Sequence, residues 1–201
     1  MTPEAPLAEP RRIIVGITGA TGTIFGVRLL EMLQDTDVET HLVLSRWAAR
    51  TLVHETTYTV ERVQALATHV HPIADQGAPI SSGSFVTNGM IIVPCTVRTL
   101  AAIAHGLGDN LIHRAADVIL KERRRLVLAV REAPLSEIHL ENMLKLARMG
   151  AVIAPPMPSF YGRPQSIDDL VNYTVARLLD QLDVHLDVDK RWLGLPAFGA
   201  S

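Results

Sequence analysis

Apolar positions along this chain alternate between short continuous runs and longer stretches with helical spacing. Ile13-Ile14-Val15-Gly16-Ile17 is a β-branched run, the pattern of a strand buried on both faces. Residues 23 to 34 then carry Ile24, Val27, Leu30, Met32 and Leu33 at the spacing of a helix. A second strand is predicted over Glu39 to Leu44, followed by a helix through Trp47, Leu52 and Val53. Met90-Ile91-Ile92-Val93 predicts another buried strand, leading through Pro94-Cys95-Thr96 into a helix over about 97–105. Leu126 to Val130 and Ala151 to Ala154 are two further strand-like runs, with helices before, between and after them. The stretch from His69 to Asn88 is rich in Gly, Pro and Ser and reads as one long loop, and loops of that length inside a compact domain are usually functional.

Strands that alternate with helices in this way predict an α/β fold with a doubly wound parallel sheet, a three-layer αβα arrangement of the Rossmann or flavodoxin-like kind. Ligands of such sheets sit beyond the carboxyl ends of the strands. The residues to watch are therefore Thr18 to Gly22, Ser45-Arg46, Pro94 to Thr99, Arg131-Glu132 and Pro155 to Tyr161. Residues 1–10, with three prolines, read as a disordered leader, 11–193 as a single domain and 194–201 as a C-terminal tail.

Composition narrows the function. The chain has 201 residues, 48% hydrophobic and 20% charged, enough apolar content for one packed core. Nineteen basic groups face twenty-one acidic ones, so no overall field draws the protein to nucleic acid or to anionic lipid. A single cysteine, Cys95, can form no intrachain disulfide, and the absence of a long apolar run or a signal-type leader points to the cytoplasm. Aromatic residues are only 4%, too few to close a ring-stacking site generously.

Gly16-Ile17-Thr18-Gly19-Ala20-Thr21-Gly22 places glycines at a strand-to-helix turn, where backbone N–H groups can hold a phosphate. The spacing is not that of the dinucleotide fingerprint, and Ser45-Arg46 stands where an NAD site has an acidic residue. Arg46 could meet the 2′-phosphate of NADP, but Tyr58, Tyr161 and Tyr173 have Arg62, Gln165 and Arg177 four residues on, so the Tyr-x-x-x-Lys pair of short-chain reductases is missing. Cys95 after a buried strand reads as a small hydrophobe, and the hydroxyls of Thr96 and Thr99 are better candidates for ligand contacts. Arg114 and Lys121 are seven residues apart and share a helical face, which could bind an anion. His69 and His71 show no third ligand in the local sequence, and no metal site is expected.

Several blocks together, in order along the chain, resemble the flavin prenyltransferases of the UbiX type. They are Gly19-Ala20-Thr21-Gly22, Pro94-Cys95-Thr96, Arg114-Ala115-Ala116-Asp117-Val118, Leu120-Lys121-Glu122-Arg123, Arg131-Glu132-Ala133-Pro134-Leu135 and Phe160-Tyr161-x-Arg163-Pro164-Gln165-Ser166. The resemblance implies a flavodoxin-like Rossmann fold, a metal-free transfer of a dimethylallyl group from dimethylallyl monophosphate to reduced FMN, and delivery of the prenylated flavin to a UbiD-type decarboxylase. It also implies a homo-oligomer of trimers packed into a dodecamer. Carried over residue by residue, it implies FMN contacts from Gly19, Ala20, Thr21, Ser45, Thr96, Val97, Arg98, Thr99 and Arg131. Arg114, Lys121, Glu132, Tyr161 and Arg177 match the positions around the dimethylallyl phosphate, and Glu55 matches a further acidic position near the reacting groups, so the implied catalytic set is Glu132, Glu55, Lys121 and Arg114. Thr21 stands where many members carry Ser, and residues 76 to 80 offer no aromatic side chain where some members do. The rival readings are an FMN-binding carrier or decarboxylase subunit without prenyl transfer, and a flavin-dependent cysteine decarboxylase, whose Pro-x-Met-Asn-x-x-Met-Trp block has no equivalent here.

Overall fold

The computed structural model describes residues 10–187 and 194, so most of the expected leader and tail lie outside the described residues. Six strands form one all-parallel sheet: β1 (Arg11–Ile17), β2 (Val38–Leu44), β3 (His69–His71), β4 (Gly89–Cys95), β5 (Arg125–Val130) and β6 (Val152–Ile153). Seven helices join or follow them: α1 (Thr23–Gln34), α2 (Arg46–Glu55), α3 (Val60–Gln64), α4 (Val97–Ala104), α5 (Leu111–Lys121), α6 (Glu137–Arg148) and α7 (Ile167–Asp180). The strand order is β3-β2-β1-β4-β5-β6, which reverses between β1 and β4. This is the doubly wound α/β sheet expected from the sequence.

The strands are apolar on both faces because each face has its own core. On the first, Ile13, Val15, Ile17, Leu42, Ile91, Val93 and Val127 pack against α1, α2, α3 and α7 through Val27, Leu30, Leu52, Val63, Val175 and Leu179. On the second, Ile14, Val43, Met90, Ile92, Leu126 and Leu128 pack against α4, α5 and α6 through Leu100, Ile103, Ile112, Ile119 and Leu146. Alternate residues of one strand thus feed alternate cores, as the period of two requires. Cys95 is fully buried at the end of β4, and burial pushes its thiol up to about 12, in keeping with a structural role.

The glycine-rich stretch 69–88 differs from expectation. It opens with the edge strand β3 and includes a single 3-10 turn at Pro79–Ser81. The segment has to carry the chain from the edge of the sheet past β2 and β1 to β4, on the second face, where Ala78 and Ile80 join the core. The crossing itself, about 14 Å at ordinary strand spacing, needs only about four or five extended residues, so the segment is longer than the distance demands. The pairing of β3 with β2 also sets His69 opposite His41, so the histidines that lack a neighbour in the local sequence have one across the ladder.

Helix α1 lies tight against the sheet at Gly26. A Cβ there would stand 2.7 Å from the Val93 carbonyl oxygen and 2.8 Å from Ile17 Cδ1. Alanine favours a helix interior over glycine by about 1 kcal/mol, whereas forcing an atom into a filled interface costs about 1–3 kcal/mol. We therefore expect Gly26→Ala to lower the urea midpoint; an equal or higher midpoint would show that α1 can lift without penalty.

Candidate functional site

At the switch point β1 and β4 are neighbours, but α1 leaves toward the first face and α4 toward the second. The backbone groups at the tips lose their regular partners there. Thr18 supplies them: its N–H and its hydroxyl both donate to the Pro94 carbonyl, at 3.2 and 2.8 Å, while its Oγ1 accepts the Thr96 N–H at 2.9 Å. Pro94 has no N–H to give, and the β4–β5 register slips between Ile92 and Cys95 around it. Ser45 N–H donates to the Ile17 carbonyl and Arg131 N–H to the Cys95 carbonyl, which ties the β2 and β5 tips to their neighbours.

Beyond these tips lies a cleft of about 380 Å³, lined by Thr18, Gly19, Ser45, Arg46, Trp47, Ile73, Thr96, Arg98, Thr99, Asn110, Ile112 and His113. Ser45 and Thr96 are the N-cap residues of α2 and α4, their side chains accepting the N–H of Ala48 and of Thr99. Asn110 caps α5 in the same way through His113 N–H. Three helix N-termini, those of α2, α4 and α5, therefore open on the cleft with Arg98, a setting suited to an anion. Gly19 is needed for the shape: a Cβ on it would lie 2.4 Å from Trp47 Cβ and 3.1 Å from the Trp47 backbone.

The glycine turn is arranged differently from its sequence reading. The N-terminus of α1 already holds an anion, the carboxylate of Glu55 at the end of α2. Glu55 Oε2 accepts the Gly22 N–H at 2.9 Å, the Thr23 N–H at 3.2 Å and the Thr23 hydroxyl at 3.1 Å. A phosphate at those amides would collide with Glu55 in space and in charge, so the anion-ready positions are the starts of α2, α4 and α5. Burial pushes the Glu55 carboxyl up, but the hydrogen bonds from the Thr21 side chain, from the Gly22 and Thr23 N–H groups and from the Thr23 hydroxyl outweigh it and hold it below the ordinary value.

Of the residues expected to hold a flavin, Gly19, Ser45, Thr96, Arg98 and Thr99 line the cleft, while Ala20, Thr21, Val97 and Arg131 stand on the strand-tip side without lining it. Glu132 is exposed at the β5 tip, its Oε1 accepting the Ala133 N–H at 3.1 Å. The residues expected around the dimethylallyl phosphate are divided between the two faces of the sheet. Arg114 and Lys121 do share a face of α5, against residues 81–84, where Arg114 Nε donates to the Ser81 carbonyl and Lys121 Nζ lies beside Gly83. That helix belongs to the second face, and Lys121 stands about 15 Å down its axis from Leu111, toward the amino ends of the strands. Arg177 belongs to α7 on the first face, paired with Asp180 and lining a separate cleft of about 290 Å³ beneath β6. Tyr161 is exposed in the segment between β6 and α7.

The sequence reading missed His113 and Asn110. His113 is buried and faces the cleft; burial, with Arg98 nearby, holds it below the ordinary imidazole range. The signal was the Asn-x-x-His spacing, an N-cap pattern that would have started α5 at Asn110. Trp47, one of the few aromatic residues the sequence offers for ring stacking, is exposed at the cleft and lies under Arg50 at 5.0 Å.

The Flavoprotein family model matches residues 2–179. The chain is 59% identical over 191 residues to a probable UbiX-like flavin prenyltransferase of Streptomyces sp. (strain D7), covering 94% of this chain and 96% of that protein. It is 56% identical over 187 residues to the flavin prenyltransferase UbiX of Escherichia coli (strain K12), covering 92% and 99%. Among solved structures, AnUbiX (PadA1), in complex with FMN and dimethylallyl pyrophosphate, superposes with a TM-score of 0.90 at 55% identity over 92% of this chain and 99% of that one. A dodecameric FMN-dependent UbiX-like decarboxylase, as that structure is named, from Escherichia coli O157:H7 gives 0.89 at 55% identity over 91% and 100%. The cysteine decarboxylase TvaF, at 14% identity and a TM-score of 0.59, shares the fold alone.

Because the Glu55 carboxylate is held below its ordinary value, its contribution to stability is present above about pH 4.5 and is lost as pH falls through the folded-state value. Urea unfolding of Glu55→Gln beside wild type should show a stability gap at neutral pH that closes in acid. A gap independent of pH would mean the carboxylate charge contributes nothing to holding α1.

Proposed function

This chain belongs to the flavin prenyltransferases of the UbiX type, and we propose that its strand-tip cleft holds FMN while the prenyl donor is bound where two chains meet. The observation that carries the proposal is the cleft at the β1–β4 switch point, with three helix N-termini and Arg98 opening on it. These residues fit FMN: Thr96, Arg98, Thr99 and Ser45 suit its phosphate, and the exposed Trp47 ring, which Gly19 lets close on the β1 tip, suits a flat ring system. When bound in reduced form, the flavin supplies the nucleophilic ring to which the dimethylallyl carbon is joined.

The chain's own residues do the rest. Breaking the C–O bond of dimethylallyl monophosphate builds negative charge on the departing phosphate, which Arg114, Lys121, Tyr161 and Arg177 stabilise as preoriented donors. Glu132 takes up a proton as the new ring closes. Glu55 keeps Thr21 and the start of α1 in place. With α5 and α7 on opposite faces of one sheet, a donor set drawn from both requires a second chain. Exposed apolar side chains provide the surfaces for such contacts: Ile138, Leu140 and Leu144 on α6, and Met157, Phe160 and Ile167 beyond β6. A homo-oligomer, the dodecamer of the E. coli O157:H7 relative, is the assembly we propose. The product would pass to a UbiD-type decarboxylase in the cytoplasm; among the described residues no helix is long and apolar enough to cross a membrane.

Incubation with reduced FMN and dimethylallyl monophosphate should yield flavin whose mass has gained a dimethylallyl unit. Recovery of unchanged FMN would favour the flavin-carrier reading. Arg177→Ala and Tyr161→Phe should keep FMN affinity yet slow single-turnover transfer by about 10²-fold or more, because such donors act mainly in the transition state. If FMN affinity falls in step with rate, both residues belong to the flavin site. Reassembled mixtures of Lys121→Ala and Arg177→Ala chains should recover activity at about a quarter of the sites, as random pairing across a shared interface requires. Mixtures as inactive as the parent variants would place both residues in one chain's site.

A further inference from the structure

At the edge of the sheet, far from the cleft's polar lining, strand pairing gathers a second set of chemically capable side chains. Glu39 and His41 are two apart on β2 and share a face; His69 on β3 is the register partner of His41, and His71 follows two residues on. Glu39 Oε1 lies 2.9 Å from His41 Nε2 and 3.3 Å from His69 Nε2, and these three atoms all fall within 4.8 Å of one another.

We propose that Glu39, His41 and His69 form a binding site for one zinc(II)-class divalent ion that ties the edge strand β3 to β2. The donor types are those a borderline ion selects, imidazole with one carboxylate, and three protein ligands leave a fourth position for water. Ligand bonds of about 2.0–2.2 Å in a tetrahedral site put ligand atoms about 3.3 Å apart. The Glu39–His69 separation already has that value, the Glu39–His41 contact needs to open by a few tenths of an ångström, and the two histidine nitrogens, within 4.8 Å of each other, have to close toward it by a turn of the exposed His69 ring.

The surroundings complete the arrangement. His41 is buried, its ring stacked between His69 and His71 with centroids at 4.8 and 5.3 Å and the edge of Phe85 at 5.2 Å, so its orientation is fixed by packing. Its other nitrogen, Nδ1, lies 3.0 Å from His71 Nε2. When Nε2 of His41 binds the ion, Nδ1–H donates to His71, the outer hydrogen bond that orients most metal-bound histidines. Without the ion, His41 Nε2–H donates to Glu39 and His71 Nε2–H donates to His41, so the two states differ by a tautomer shift along the pair. One group opposes binding: Arg12 Nε, on β1 beside β2, donates to Glu39 Oε1 at 3.3 Å and brings a positive charge to the same carboxylate. Arg12 is held there from elsewhere as well, by the Val86 carbonyl and above the Phe85 ring at 5.1 Å.

The test uses the full chain, stripped with chelator and without flavin, so its outcome is independent of prenyl transfer. Titration with zinc chloride should give one ion per chain and a higher melting temperature, and cobalt chloride should give the absorption of a tetrahedral ion. His69→Ala, at the exposed edge, and Glu39→Gln should each weaken zinc binding tenfold or more and abolish the thermal shift. His71→Ala should weaken binding by about 10–100-fold through the lost outer hydrogen bond. Arg12→Gln, which removes the competing charge and leaves every ligand, should bind more tightly than wild type. The proposal is overturned if wild type retains no zinc, if His69→Ala and Glu39→Gln bind it with wild-type affinity, or if Arg12→Gln binds it no more tightly.

Discussion

The structure depends on a split between two neighbouring strands. β1 and β4 lie side by side, but their chains leave toward opposite faces, and the backbone between their tips has no ladder to join. Thr18 closes that gap with one side chain acting as donor to Pro94 and acceptor from Thr96. Buried polar backbone left without partners costs about 1–3 kcal/mol per group, so a threonine at this position holds the crevice open at little energetic cost. The cleft, the helix starts that face it and the placement of Gly19 against Trp47 all follow from where those two tips are fixed.

The same split distributes the chemistry. Helices α1, α2, α3 and α7 cover one face, and α4, α5 and α6 cover the other. A single chain can therefore present an anion site at its strand tips, but it cannot bring α5 and α7 to one ligand. In the homo-oligomer we propose, symmetric association resolves this, because each copy offers the face its neighbour lacks. Glu55 illustrates how position overrides residue type: a carboxylate that the resemblance sets near the reacting groups holds the start of α1, which leaves the starts of α2, α4 and α5 open on the cleft.

Much of this was legible in the residues themselves. The unbroken apolar runs at 13–17 and 90–93 could only be strands covered on both sides, and Thr23–Gln34 forms a helix where its spacing predicted one. The tip residues Gly19, Ser45, Thr96, Arg98 and Thr99 were identifiable because strand ends are where such folds bind ligands, and the resemblance in sequence named their purpose. The stretch 69–88 was misread as wholly loop because β3 is three residues long and too short to carry a pattern.

Sequence by itself determined which segments are strands and helices, which residues stand at the strand tips and which family the chain joins. These are local matters, set by the period of side-chain burial and by residues close together in the chain. Only the tertiary structure decided that β4 lies beside β1, that Glu55 reaches the start of α1, that Lys121 and Arg177 end on opposite faces and that His41 meets His69. Each of those pairings spans tens of residues, and its partner is chosen by the packing of two cores, to which no local period refers.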